Sequence, residues 1–177
     1  MAELLNKAIT NDYRWYAIYT RLNHEKAVES TLLEKNIEVF LPKRKTLHKW
    51  SDRKKWVEEP LFRPYVFVRI SKKEYYKVLQ TTSVCNYICF EGKAASIPDN
   101  QIDLIRKVID ENLTYDIVNQ NLEINQKVEV IAGPLTGLKA EVINKKNKNH
   151  IVIVLKELNC SLLVDIDINA IRSTKYT

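Results

Sequence analysis

Short blocks that alternate apolar and polar residues with a period of two are separated by stretches with a helical period, and their order divides the chain. WYAIYT (15–20), IEVFLP (37–42), LFRPYVFVRI (61–70) and VCNYICF (84–90) have the aromatic and β-branched composition of strands. After the first, Asn23 stands where a cap opens a helix carrying Val28, Leu32 and Leu33. After the third, Ser71 and Glu74 have the spacing of a capping box, which opens a helix through Leu79. Asp99 stands as the cap of a last helical stripe of Ile102, Ile105 and Ile109. The pattern predicts an α+β layer: an antiparallel sheet flanked by helices.

Beyond residue 122 the pattern changes. VEVIAGPLTGLKAEVINKKNKNHIVIVLKELNCSLLVDID alternates β-branched runs with turn residues, which predicts a small closed β barrel of about five strands. Gly133 and Pro134 make a tight turn after the first run, and Gly137 supplies a positive φ before the next. The polar stretch 112–122 reads as a linker, leaving domains of residues 13–111 and 123–174.

Between the second and third strands, KRKTLHKWSDRKKWVEE shows no clean period and reads as a charged loop. It holds seven Lys or Arg against three Asp or Glu, with Trp50 and Trp56 interleaved. Two readings stand: cations along a phosphate backbone with a tryptophan on an unpaired base, or a solvated loop whose tryptophans fold back onto the sheet. The net charge of +6 leans toward an anionic partner only weakly, so the clustering matters more than the total. In the third strand Tyr65 and Phe67 share one face and Val66 and Val68 the other. Either the aromatics offer a docking surface over a valine core, or the reverse holds.

Other chemistry finds little support. Glycine occurs only at Gly92, Gly133 and Gly137, which excludes a glycine-rich phosphate loop, and there is no HExxH, GxSxG or CxxC. Cys85, Cys89 and Cys160 lack zinc spacing and read as core residues or plain thiols. His24, His48 and His150 fall in separate polar segments and read as exposed; Asp165 and Asp167, two apart, have no nucleophile nearby. We expect no enzyme activity, no cofactor and no metal. No apolar run approaches the roughly 18 residues of a membrane span and no secretory leader opens the chain, so a cytoplasmic protein that needs no membrane is expected.

WYAIYT, EEPLFRPYVFV (58–68), TTSVCNYI (81–88) and VEVIAGPLTGLKAEV (128–142) together resemble the landmarks of the NusG family of transcription elongation factors, in the family's order. The basic insertion before EEPLF and the continuation FEGKAASIPDNQIDLIR look most like its specialised paralogues of the RfaH and UpxY type. The resemblance implies an NGN domain followed by an SH3-like barrel with a KOW motif, whose turn is Gly133, Pro134 and Gly137. It implies a non-enzymatic, operon-specific antitermination factor that binds elongating RNA polymerase and suppresses pausing; the alternatives are a general elongation factor or a ribosome- or RNA-associated KOW protein. It places Trp15, Tyr19, Pro60, Phe62, Tyr65 and Phe67 on the polymerase clamp helices. It places Arg21, Lys43, Arg44, Lys45, Lys49, Trp50, Arg53, Lys54 and Lys55 on non-template DNA or nascent RNA. It implies a ribosomal protein or Rho as partner of the KOW domain, and a monomer working at the bacterial nucleoid.

Overall fold

A computed structural model describes residues 13–49, 53–118, 126–145 and 148–174. The chain divides into two units, Met1–Asp99 and Asn100–Thr177. In the first, β1 (Arg14–Thr20) leads to α1 (Glu25–Glu34), β2 (Glu38–Phe40), β3 (Lys43–Lys49), β4 (Lys54–Pro60) and β5 (Tyr65–Ile70). Then come α2 (Tyr75–Leu79), β6 (Val84–Tyr87) and the short strands β7 (Cys89–Phe90), β8 (Lys93–Ala94) and β9 (Ser96–Ile97). The sheet runs β2-β5-β1-β6, with β9 also on β1, and every pairing is antiparallel.

Register explains how its two faces differ. Ile18 lies opposite Val66 and Tyr16 opposite Val68. On this face Val28 and Leu32 of α1 and Val78 of α2 join Ile18, Val66, Val68 and Ile70 in one core. Each such aliphatic side chain, fully buried, contributes roughly 1.5–3 kcal/mol relative to exposure. The opposite face carries Trp15, Ala17 and Tyr19 beside Tyr65 and Phe67.

Local signals were met unevenly. The Ser71 backbone N–H donates to the Glu74 carboxylate at 2.9 Å, and this box opens a 3-10 turn, Lys72–Glu74, that feeds α2. Asn23 is not a cap: its φ of 65° puts it in the left-handed region that asparagine tolerates, and His24 precedes α1 instead. Leu33 is exposed. The larger departure is the basic segment, which is no loop. β3 and β4 form an antiparallel ribbon from Lys43↔Pro60 to Lys49↔Lys54, closed at its base by Leu61 N–H donating to Pro42 at 2.7 Å.

The division falls at the first residue of α3 (Asp99–Asp110), in which Ile102, Ile105 and Val108 are buried. Asp99 is the helix's first residue rather than a cap, and Ile109 is only half-buried. β10 (Tyr115–Val118), β11 (Gln126–Val130), β12 (Lys139–Lys145), β13 (Lys148–Leu155), β14 (Cys160–Ile166) and β15 (Ile171–Ser173) follow. These six strands form one sheet in the order β10-β14-β13-β12-β11-β15. This corrects the expected closed SH3-like barrel of five strands. Closure needs the two outer strands to bond, yet β10 pairs only with β14 and β15 only with β11 among the described residues. His150, read as exposed from its polar segment, is instead buried on β13, 2.9 Å from Asp165 across the β14 pairing.

Candidate functional site

Two surfaces of the first unit gather the chemistry-bearing side chains. Pairing of β1 with β5 sets Tyr19 directly opposite Tyr65, with ring centroids 5.7 Å apart and planes at 75°. Such edge-to-face geometry adds about 0.5–1.5 kcal/mol beyond area burial. Tyr19 remains 40% exposed and Tyr65 half-buried, so this pair reaches solvent. Further along the same face the aromatics withdraw: Phe67 is 0% exposed, and Trp15, Phe62 and Pro60 are also buried. Phe67 packs against Phe40 and Phe62, each with centroids at 6.0 Å, and Trp15 meets Phe40 edge-on at 6.4 Å. Phe67 is therefore not an open surface residue, because rings from β2 and from the turn before β5 close over it. Phe40 was missed as a member of this cluster; its signal was its place in the IEVFLP strand, opposite Phe67.

The approach to β5 is fixed by polar contacts. Thr20, fully buried, donates its hydroxyl and its N–H to the Pro64 carbonyl at 3.0 Å each, and Tyr65 N–H donates to Phe62 at 2.7 Å. The Arg63–Pro64 peptide bond is cis. The Arg63 guanidinium donates to the Glu59 carboxylate at 3.0 Å. His48 also reaches that carboxylate, at 3.2 Å. Burial alone raises the Glu59 carboxyl, but Arg63, His48 and the hydroxyl of Thr46 outweigh it and hold the group below its ordinary range.

The ribbon has two unlike faces, because residues directly opposite in an antiparallel pair share a side. Thr46, His48, Val57 and Glu59 lie on one side and are half-buried. Lys45, Leu47, Lys49, Lys54, Trp56 and Glu58 lie on the other, where Trp56 is 65% and Leu47 37% exposed. Arg44 and Lys55 share the first side yet are exposed. Lys43 forms an ion pair with Glu29 of α1 at 2.6 Å. Arg21 and Arg53 are exposed, while Trp50 lies outside the described residues. The structure thus separates the expected cations into two sets that sequence spacing had grouped together.

In the second unit Gly133 and Gly137 adopt φ of 85° and 84°. Gly137 N–H donates to Val130 at 2.7 Å and Thr136 N–H to Gly133 at 3.1 Å, so the turn around exposed Pro134 is locked by its own backbone. Burial pushes the Cys160 thiol up to about 11, which makes it an inert core thiol, whereas Cys85 and Cys89 are exposed. Among the described residues no group of acidic, histidine or cysteine side chains is disposed to hold a metal, and no helix is long and apolar enough to cross a membrane.

Residues 13–106, just over half of the chain, match the family described as NusG, transcription termination factor nusG. No curated protein matches the sequence. A structure titled "Domain interaction in Thermotoga maritima NusG" is 15% identical and aligns over 93% of this chain and 98% of its own, with a TM-score of 0.52. At that identity the likeness is one of fold. The MjSpt4:Spt5 complex is 18% identical over 92% of this chain and 97% of its own, with a TM-score of 0.30.

Proposed function

The chain belongs to the NusG family of transcription factors, whose members are non-catalytic scaffolds, and from that premise we propose that it docks on elongating RNA polymerase through the Tyr19–Tyr65 surface and acts as a general elongation factor. The observation that carries this reading is the partly exposed edge-to-face tyrosine pair at one end of a sheet face whose other aromatics are buried. Two rigid rings with hydroxyls at their rims suit an apolar helical partner, since they bury area at small entropic cost and orient by hydrogen bonds. Phe67, Phe62, Trp15 and Pro60 extend this surface as buried neighbours of the pair in the reading, and the clamp helices are the partner. The functional modules are residues 13–111 and 123–174 with 112–122 between them, the second meeting a ribosomal protein or Rho as members of the family do. Tyr65→Ala, with circular dichroism unchanged, weakens binding to a purified elongation complex about tenfold or more; unchanged affinity in a folded variant rejects the surface.

A finer, operon-specific antitermination role rests on one feature, the basic ribbon β3–β4, which carries Lys43, Arg44, Lys45, Lys49, Lys54 and Lys55. With Arg21, Arg53 and Trp50 it forms the reading's nucleic-acid surface, toward non-template DNA or nascent RNA. Mapping of occupancy across a genome separates the roles: broad occupancy supports the general factor, and confinement to a few operons the specialised one.

A further inference from the structure

The Glu59 carboxylate joins the β3–β4 ribbon to the turn that leads into Tyr65. Glu59 is half-buried one residue before the end of β4, and its Oε1 accepts from the Arg63 guanidinium at 3.0 Å. His48 Nε2 lies 3.2 Å from that same oxygen, and the Thr46 hydroxyl donates to the carboxylate as well. Thr46 and His48 belong to β3, so one group gathers both strands of the ribbon and the turn beyond them. Backbone bonds hold that turn at three points: Leu61 N–H donates to Pro42, Tyr65 N–H to Phe62 and Thr20 N–H to Pro64. Arg63 adds a side-chain tie, reaching back four residues to β4.

We propose that Glu59 is a positioning residue for docking: by holding Arg63 to the ribbon it fixes the turn before β5 and presents Tyr65 beside Tyr19 in the orientation that the partner meets. The inference rests on the docking reading of the tyrosine pair, and it needs no ligand on the ribbon. A ring fixed before association loses less freedom when it binds, so the tie acts through pre-organisation. The edge-to-face contact of Tyr19 and Tyr65 depends on where the turn delivers the second ring. Because Arg63 is partly exposed, its ion pair adds only modestly to overall stability, and its effect is local. The three backbone bonds remain when the tie is released, so β5 loosens at its start without unfolding.

The test measures affinity of the full chain for a purified elongation complex, with every variant verified as folded by circular dichroism. Glu59→Gln and Arg63→Gln each weaken binding at least about threefold, and the double variant no further, because the two residues act as one unit. Glu38→Gln removes a different ion pair from β5, the one with Arg69 at 3.3 Å, and leaves affinity unchanged. In a Tyr65→Ala background the Glu59 and Arg63 substitutions have no effect, which a general loss of charge or stability does not predict. In the free chain, Glu59→Gln quickens amide hydrogen exchange at Tyr65 at least about threefold, a readout that needs no polymerase. Full affinity of Glu59→Gln, equal losses with and without Tyr65, or unaltered exchange at Tyr65 overturns the proposal. If Tyr65→Ala binds as wild type does, or wild type does not bind, the docking reading itself fails and the proposal with it, whatever the exchange rates show.

Discussion

Tyr65 and Phe67 sit two residues apart on one strand face, yet their fates differ, and substitutions at the two positions separate docking from folding. Phe67 has no exposure and packs on two rings, so Phe67→Ala costs about 3–5 kcal/mol in denaturant unfolding of the chain. Tyr19→Ala or Tyr65→Ala costs far less stability, because neither residue is fully buried, while removing the proposed contact. Alternation in the sequence put Val66 and Val68 on one face and the two aromatics on the other, without deciding which face is the core. It did not show that Phe40 and Phe62 cover Phe67, since that depends on a neighbouring strand and a turn. Glu59 yields a second prediction at this scale. Its folded carboxyl ionises below its ordinary value, so the stability it adds is present above that ordinary value and is lost as pH falls through the lower folded one. Thermal melts between about pH 3 and 6 will therefore show an acid-side decline that Glu59→Gln diminishes. An identical decline in both proteins assigns it to other carboxylates.

At the level of elements, the strands with hydrophobic alternation were legible and the ribbon was not. Its half-buried side is built from Thr46, His48 and Glu59 with only Val57 apolar, so the period of two is written in polar residues and escapes a hydrophobic reading. The buried run of β14, Cys160 to Val164, was legible as a strand, but whether a sheet closes depends on pairing at its ends, which local pattern does not encode. The glycine turn was legible because two positions need a backbone that only glycine adopts easily. Gly137→Ala meets no atom within 4 Å, so its cost is conformational alone, roughly 1–2 kcal/mol at a φ of 84°. Chemical denaturation measures it, and a neutral result shows that the turn relaxes.

For the molecule as a whole, the family landmarks WYAIYT and EEPLFRPYVFV fall on adjacent strands, and their pairing builds the tyrosine surface. The surface was thus visible as motifs before it was visible as geometry, whereas the two-sided ribbon appeared only with the register. On the proposed reading these parts offer aromatic area to a protein partner and cations to nucleic acid, and binding energy is the means of action. The most direct measurement is the affinity of the full chain for a purified elongation complex, taken for wild type and for Tyr19→Ala with Tyr65→Ala, both verified as folded. The account predicts saturable binding by wild type and a loss of about tenfold or more in the double variant. Equal affinity of the two proteins, or no binding by wild type, contradicts it.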